Sequence, residues 1–306
     1  MVSKQVRRAL LASQIHRQQN ELELWTTLAA GNFAPRVGFP AAYSGRVYWE
    51  FNGILYPATS GVAISAPAVG GMQRAVLKGV PLSALTRLDA NTSGLVGDIT
   101  TLRLDRFRAM QILYLYSNDV SGDISSLAGL SNLAYLYLYS TDVSGDISNL
   151  AGLSNLAYLR LHSTDVSGDI SNLAGLSKLE YLSLYSTSAT CGSTFTASWV
   201  GMRNFQVQNC LMSQAAVGNI VESIWDARAG FIHATPALNV GGTNAAPTGN
   251  VAAPPGGGAS NSDWNWNAGT GKYEPLTAGA MIWDLAKDVN GDGFKKWAIT
   301  YRGGSI

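Results

Sequence analysis

The chain has 306 residues, including 21 Lys or Arg and 20 Asp or Glu, so that 13% of its residues are charged and 46% are hydrophobic. A typical soluble domain has roughly 25% charged residues, so the surface must be unusually neutral. The net charge of +1 gives no long-range field that would steer nucleic acid or an anionic membrane, which argues against both kinds of partner.

No apolar run in the sequence approaches the roughly 18 residues of a membrane span. The apolar stretch near the start is too short for the core of an export signal. We therefore expect a soluble, folded protein that has no signal peptide and does not insert into a membrane.

The first predicted element is a helix over residues 1–30. Its apolar residues follow alternating spacings of four and three, which is typical of a coiled-coil seam. Three heptads are short for stable association, so an amphipathic helix packed on its own domain is the alternative. If the seam is intermolecular, the chain forms a homo-oligomer, and the candidate oligomerisation residues are Leu11, Ile15, Leu22 and Trp25.

Residues 31–80 predict a small β module between this helix and the rest of the chain. Residues 47–51 and 54–56 are rich in aromatic and β-branched side chains, and Asn52-Gly53 separates the two runs. Asn-Gly suits the type I′ turn of a two-residue hairpin.

Residues 81–212 consist of repeats. The sequence Val-Ser-Gly-Asp-Ile begins at Val120, Val143 and Val166, and residues 133–155 match residues 156–178 at 20 of 23 positions. Within the 23-residue unit, places 1, 4, 6, 11, 15, 18 and 21 are apolar, and degenerate copies on both sides extend the array to six coils. Place 9 carries a small polar side chain in every coil, namely Ser93, Asn118, Thr141, Thr164, Thr187 and Cys210.

This pattern resembles the leucine-rich repeat, particularly the plant-type variant with Gly-x-Ile after place 9. The resemblance implies an α/β repeat solenoid with a parallel β ladder on its concave face, preceded here by the N-terminal helix and the β module. Places 4 and 6 would point into each coil, while places 3, 5 and 7 would point outward from the ladder. A single coil cannot bury its apolar face, so neighbouring coils are obligatory. We expect Cys210 to be a structural, inert thiol.

The outward places of the ladder are the candidate partner-binding site. They are rich in tyrosine, which combines a large contact area with a polar tip and is common at recognition surfaces. The alternative is that neighbouring tyrosines only stack on each other to fill the sheet surface. Two of the three differences between the near-identical repeats fall on places 5 and 7, which favours binding. The candidate residues are Tyr114, Tyr116, Tyr135, Tyr137, Tyr139, Tyr158, Arg160, His162, Tyr181 and Tyr185.

Residues 213–306 predict divergent C-terminal coils and a cap. A helix is expected from Gln214 to Arg228 after the N-cap Ser213, and a second helix around residues 278–287. Ladder strands are expected at residues 238–240 and 297–299. Between them lies a Gly/Pro-rich insertion at residues 249–272, which we expect to be an extended loop anchored by Trp264 and Trp266.

This C-terminal end, with Leu-Asn-Val-Gly-Gly-Thr-Asn from Leu238 and Lys-Lys-Trp-Ala-Ile-Thr from Lys295, resembles leucine-rich-repeat virion and tail proteins of tailed bacteriophages and prophages. The resemblance implies a structural protein of a phage virion that is assembled in the host cytoplasm. Residues 1–80 would contact other virion proteins, with a trimer assumed by analogy with fibres. The concave face would bind a host-surface protein or glycan. The alternative is a bacterial surface leucine-rich-repeat adhesin or scaffold.

The sequence contains no motif for catalysis or cofactor binding. The three histidines are not in a metal-ligand pattern, the two cysteines form no Cys-x-x-Cys, and no nucleophile elbow, Walker loop or dinucleotide fingerprint is present. Asp288, Asn290 and Asp292 match the opening of a calcium loop, but Ile299 occupies the place that requires a bidentate carboxylate. We therefore expect a non-enzyme without metal or cofactor, and a helix-ending turn at Asp288.

Overall fold

A computed structural model describes residues 21–27, 32–64, 66–67, 72–231, 236–248, 253–254, 264–267, 270, 272–275, 277–287, 297–301 and 304–306. The chain forms two compact units, unit 1 over Met1–Gly145 and unit 2 over Asp146–Ile306.

Unit 1 contains two parallel ladders made by successive coils. The main ladder pairs β8 (Arg87–Asp89), β10 (Ile112–Tyr114) and β12 (Tyr135–Tyr137). The second ladder pairs β9 (Leu95–Asp98), β11 (Asp119–Asp123) and β13 (Asp142–Asp146). Short 3-10 turns follow the second-ladder strands at Ile99–Leu102 and Ile124–Leu127. The strands are β1 (Leu22–Thr26), β2 (Asn32–Phe33), β3 (Arg36–Gly38), β4 (Tyr48–Phe51), β5 (Ile54–Pro57), β6 (Ala66–Pro67), β7 (Gln73–Lys78), β8 (Arg87–Asp89), β9 (Leu95–Asp98), β10 (Ile112–Tyr114), β11 (Asp119–Asp123), β12 (Tyr135–Tyr137) and β13 (Asp142–Asp146).

The predicted N-terminal helix is wrong over β1. Leu-Glu-Leu-Trp-Thr alternates with period two, and Leu22 and Leu24 are buried. Leu22 and Trp25 are three residues apart in a strand, so they point to opposite faces and cannot form one coiled-coil seam. Glu23 is accommodated in the strand because its carboxylate accepts hydrogen bonds from Arg74 at 2.9 Å and from the Trp25 indole at 2.8 Å. Leu11 and Ile15 lie outside the described residues.

The β module is continuous with the repeats of unit 1. β1 pairs antiparallel with β7 and also with β9, while β3 pairs antiparallel with β8, so one strand of the module lies along the first strand of each ladder. The predicted hairpin is confirmed, because β4 pairs with β5 through a two-residue turn. Asn52 and Gly53 have φ angles of 51° and 76° in this turn, as a type I′ turn requires.

Unit 2 continues both ladders and adds two helices. Its main ladder pairs β14, β16, β18, β19 and β22 in parallel, and β15 pairs in parallel with β17. The strands are β14 (Tyr158–Arg160), β15 (Asp165–Asp169), β16 (Tyr181–Ser183), β17 (Ser188–Thr190), β18 (Asn204–Gln206), β19 (Ala237–Asn239), β20 (Trp264–Asn267), β21 (Lys272–Pro275), β22 (Ala298–Tyr301) and β23 (Gly304–Ser305), and the helices are α1 (Gln214–Ala227) and α2 (Ala278–Lys287).

The C-terminal predictions are largely confirmed. Ser213 caps α1 by accepting the Ala216 N–H at 3.2 Å, and α2, β19 and β22 form where the pattern predicts them. The insertion at 249–272 is not wholly a loop, because β20 pairs antiparallel with β21. Residues 288–292 of the predicted turn lie outside the part of the chain that the structure describes.

Each coil is held by an apolar interior and by polar contacts at place 9. Leu136, Leu138, Leu159 and Leu161 are fully buried, as expected for inward places of the ladder. Thr141, Thr164 and Thr187 each donate a hydrogen bond to the backbone carbonyl three residues earlier, at 2.5–2.6 Å. The strand pairings and this interior establish an α/β repeat solenoid, although the second ladder was not expected from the sequence.

Candidate binding face

The outward places of the main ladder form a face in each unit, and all of these side chains except the buried Asp89 and Ser183 are half-buried. The unit 1 face consists of Arg87, Asp89, Asn91, Ile112, Tyr114, Tyr116, Tyr135, Tyr137 and Tyr139. The unit 2 face consists of Tyr158, Arg160, His162, Tyr181, Ser183, Tyr185, Asn204, Gln206 and Gln208. All ten predicted partner-binding residues belong to these two faces.

The tyrosines of the unit 1 face are stacked along the ladder. Tyr114 lies 4.3 Å from Tyr137 with 13° between the ring planes, and Tyr116 lies 4.3 Å from Tyr139 with 14° between them. Stacking of this kind covers the ring faces, so a partner meets ring edges and phenol groups. The stacking expected under the alternative interpretation is therefore present, and it also determines what the face offers a ligand.

The first strand of this ladder carries a charged cluster. Asp89 is buried, and one of its carboxylate oxygens accepts hydrogen bonds from Arg87 at 2.6 Å and from Arg36 at 3.4 Å. The Arg87 guanidinium also lies over the Tyr114 ring at 5.5 Å from its centroid, which is a cation–π contact. Asn91 donates a hydrogen bond to the Tyr116 phenol oxygen. These contacts fix Tyr114 and Tyr116, the first rings of the two tyrosine stacks.

The Tyr114 phenol remains neutral at physiological pH. Burial, followed by the proximity of Tyr137, raises the pKa of Tyr114 far above its ordinary value. A neutral phenol both donates and accepts hydrogen bonds. The Tyr114 phenol therefore offers a partner a hydrogen-bonding group that carries no charge.

The unit 2 face also contains stacked rings. Tyr158 lies 4.6 Å from Tyr181, and the His162 ring lies 4.2 Å from Tyr185. The Tyr158 phenol donates to Glu180 at 3.3 Å, and Glu180 also accepts from Arg203 at 2.9 Å. This carboxylate thus connects neighbouring coils.

His162 is a neutral side chain in the folded protein. Burial, and to a smaller extent the Arg160 charge, lowers the pKa of His162 to about 4. Its Nδ1 lies 3.1 Å from the hydroxyl of Ser183, which in turn lies 3.3 Å from the Gln206 side-chain oxygen. Ser183 is buried, so this chain of contacts fixes His162 and Gln206 in position.

Two polar contributors were not predicted. Arg36 comes from the β module, and only the long-range pairing of β3 with β8 brings it to Asp89. Asn244, one residue after place 9 of the coil that follows Cys210, acts as a place-9 side chain, because it donates to the Val207 and Val240 carbonyls at 2.8 and 3.0 Å. The variable coil length hid Asn244, although Gly-Gly-Thr-Asn after a predicted ladder strand was a usable signal.

The two thiols are unsuited to chemistry. Burial raises the pKa of Cys191 to about 12 and raises that of Cys210 as well, so the reactive thiolate is disfavoured. In the described part of the chain, no group of three or more His, Cys, Asp or Glu side chains could hold a metal ion. Within the same residues, no helix is long and apolar enough to cross a membrane.

No protein-family model and no curated protein matches the chain. Among solved structures, it is similar to the BIR2 ectodomain from Arabidopsis thaliana, with 29% identity over 33% of this chain and 55% of that one, and a TM-score of 0.31. The ectodomain of the Arabidopsis receptor kinase SOBIR1 has 23% identity over 54% and 79% of the two chains, with a TM-score of 0.38. Internalin C2 from Listeria monocytogenes has 22% identity over 53% and 74%, with a TM-score of 0.36. The chain thus spans about half the length of the BIR2 ectodomain.

Proposed function

We propose that this chain is a non-enzymatic recognition protein whose tyrosine-rich ladder faces bind a protein or glycan on a cell surface. The stacking of tyrosines at 4.3 Å in unit 1 carries the proposal. Rings held by stacking lose little conformational freedom on binding, so their contacts contribute more fully to affinity. Their phenol groups supply hydrogen bonds to a partner.

Substitutions on the unit 1 face test this function. We expect the double variant Tyr116→Ala/Tyr139→Ala to reduce binding of the fluorescently labelled protein to bacterial cells. The cells are of strains that carry the gene for this chain or that support growth of a phage encoding it. The loss should be at least tenfold, because interface tyrosines often contribute about 2 kcal/mol or more. Tyr43→Ala is the matched control, since this half-buried tyrosine lies in the β module, away from the ladder.

Equal cell binding by the double variant and wild type, with both folded, would refute a role for this face. Treating the cells with protease or with periodate then separates a protein partner from a glycan partner. Binding that survives both treatments would contradict the proposed partner class.

The proposal further places the chain in a phage virion, attached through residues 1–80. The resemblance of the C-terminal end supports the virion, and exposed apolar side chains support the attachment. Ile54 and Leu55 are each 57% exposed, and Val62 is 54% exposed, so the β module offers large apolar side chains to a partner.

Particle composition tests this placement. We expect mass spectrometry to find the chain in purified particles, and Ile54→Lys/Leu55→Lys to abolish its incorporation without unfolding it. Detection on the surface of uninfected cells, with none in particles, would instead favour the bacterial adhesin.

A further inference from the structure

Beyond the aromatic rings, the unit 2 ladder changes character. The outward places after β16 carry amides and small side chains instead of tyrosines, and they form a shallow depression of about 450 Å³. Leu238 and Ile299, each 1% exposed, form its floor. We call this depression the amide trough, and it is lined by Asn204, Gln206, Ala237, Leu238, Asn239, Ile299, Thr300 and Ile306.

The trough has unmet hydrogen-bonding capacity. The side-chain oxygen of Asn204, which lines the trough, is enclosed and accepts no hydrogen bond. An enclosed acceptor without a donor costs roughly 1–3 kcal/mol relative to a satisfied one. Rotation of the half-buried Asn204 side chain would bring this oxygen to a ligand hydroxyl, and the hydrogen bond would recover that free energy.

The contacts of Gln206 leave its amide N–H groups as hydrogen-bond donors for a ligand. Its side-chain oxygen lies 3.3 Å from the Ser183 hydroxyl, which also contacts His162 at 3.1 Å. Because His162 is neutral, its Nδ1–H can donate to Ser183 while Ser183 donates to Gln206. This arrangement occupies the Gln206 oxygen and leaves its amide N–H groups to donate to a ligand.

The chemistry of the trough excludes two other ligand classes. None of its lining side chains is charged, so an ionic ligand would find no counter-charge. An extended peptide that adds a strand needs an open sheet edge. However, β18 and β19 are paired on both sides, and β22 is paired with β19 and β23. Leu238 and Ile299 are each only 1% exposed, so the trough offers no apolar pocket for the side chains of a peptide.

We propose that the amide trough is a binding site for a neutral saccharide. Each sugar hydroxyl donates and accepts, which matches a surface of amides and a threonine hydroxyl that do the same. The trough shares Asn204 and Gln206 with the unit 2 face, so this inference rests in part on the function proposed above, whereas the stacked tyrosines of the unit 1 face are not among its lining residues.

Calorimetric titration with neutral linear hexasaccharides of glucose, mannose, galactose and N-acetylglucosamine tests the site. We expect at least one of them to bind wild type. Gln206→Met/Thr300→Val should weaken that binding at least tenfold, because it removes hydrogen-bonding groups while nearly preserving shape. The melting temperature serves as the folding check. Tyr116→Ala/Tyr139→Ala should bind the saccharide as wild type does, which separates this site from the cell-binding face.

Absence of binding by all four hexasaccharides at millimolar concentration would overturn the proposal. So would equal affinity of the Gln206→Met/Thr300→Val variant, or stronger binding of a hyaluronan hexasaccharide or of an uncharged Gly-Ser-Asn peptide. Cell binding by Tyr116→Ala/Tyr139→Ala that equals wild type, with saccharide binding present, would refute the tyrosine face alone.

Discussion

At the scale of single residues, the contact between an Asp of one coil and a Gly of the next determines how closely coils approach. Asp146 begins a 3-10 turn by accepting the Ser148 N–H at 2.8 Å. A Cβ placed on Gly168 would lie 2.3 Å from an oxygen of that carboxylate, and Gly168 also has a φ of 116°. Neither the distance nor the dihedral angle tolerates a side chain.

We therefore expect Gly168→Ala to lower the free energy of unfolding by at least about 1–3 kcal/mol, from backbone strain together with the clash. Gly175→Ala is the matched control, because a Cβ there meets nothing within 4 Å. That variant should be unchanged or more stable by up to about 1 kcal/mol. Urea unfolding measures both, and equal stability of the two variants would contradict the packing argument.

His162 should make the folded state sensitive to acid. Its pKa in the folded protein is about 4, against about 6.5 in an unfolded chain. Between these values the unfolded chain binds more protons, so stability falls as pH decreases from about 6.5 to 4. We expect His162→Gln to lose stability less steeply over this window, as measured by melting temperature against pH. Parallel curves for the two proteins would show that His162 is not the group that titrates.

At the scale of elements, each main-ladder strand divides stability and recognition between its two faces. Leu136 is fully buried, whereas Tyr137 beside it is half-buried and stacked on Tyr114. Inward and outward positions one residue apart can therefore be compared within one strand.

Leu136→Ala should cost about 2–5 kcal/mol of unfolding free energy because it leaves a cavity. Tyr137→Ala should cost only about 1 kcal/mol, mainly the lost ring stacking. Cell binding should respond in the opposite order among molecules that remain folded. A larger stability loss for Tyr137→Ala than for Leu136→Ala would show that the stack, and not the coil interior, stabilises this strand.

Sequence reasoning succeeded where one coil repeats the pattern of another. The 23-residue period gave the main ladder, the direction of Leu136 and Tyr137, and the place-9 side chains. It failed for β1, since Leu22 and Trp25 fit a heptad and a strand equally well until the pairing of β1 with β9 is known. The cluster of Arg36 with Asp89 and the amide trough were not predicted either, because both depend on the pairing of strands that are far apart in sequence.

At the scale of the whole molecule, β1 changes how oligomerisation can be tested. A chain that starts at Leu82 lacks β1 and β3, so the edges of β9 and β8 and the apolar side chains behind them would be exposed. We expect that chain to aggregate. A chain that starts at Glu21 keeps β1, and its melting temperature should equal that of the full chain.

Light scattering on the full chain and on the chain that starts at Glu21 then tests whether Leu11 and Ile15 form an intermolecular contact. If these residues form an intermolecular core, the full chain is an oligomer and the chain from Glu21 is a monomer. If both proteins contain the same number of chains per particle, the coiled-coil hypothesis is wrong.

The Asp–Gly contact also has a consequence for how such a protein can change in length. Asp123 against Gly145 and Asp146 against Gly168 are the same contact repeated 23 residues further along the sequence, and each coil supplies one partner to the coil on either side. A duplication or deletion of one whole 23-residue unit preserves this alternation, and the contact of Asp98 with Gly122 shows that a coil of slightly different length also keeps it. Recombination between near-identical repeats can therefore lengthen or shorten the face in steps of one strand, about 4.8 Å each, giving a lineage a range of face sizes without a new fold.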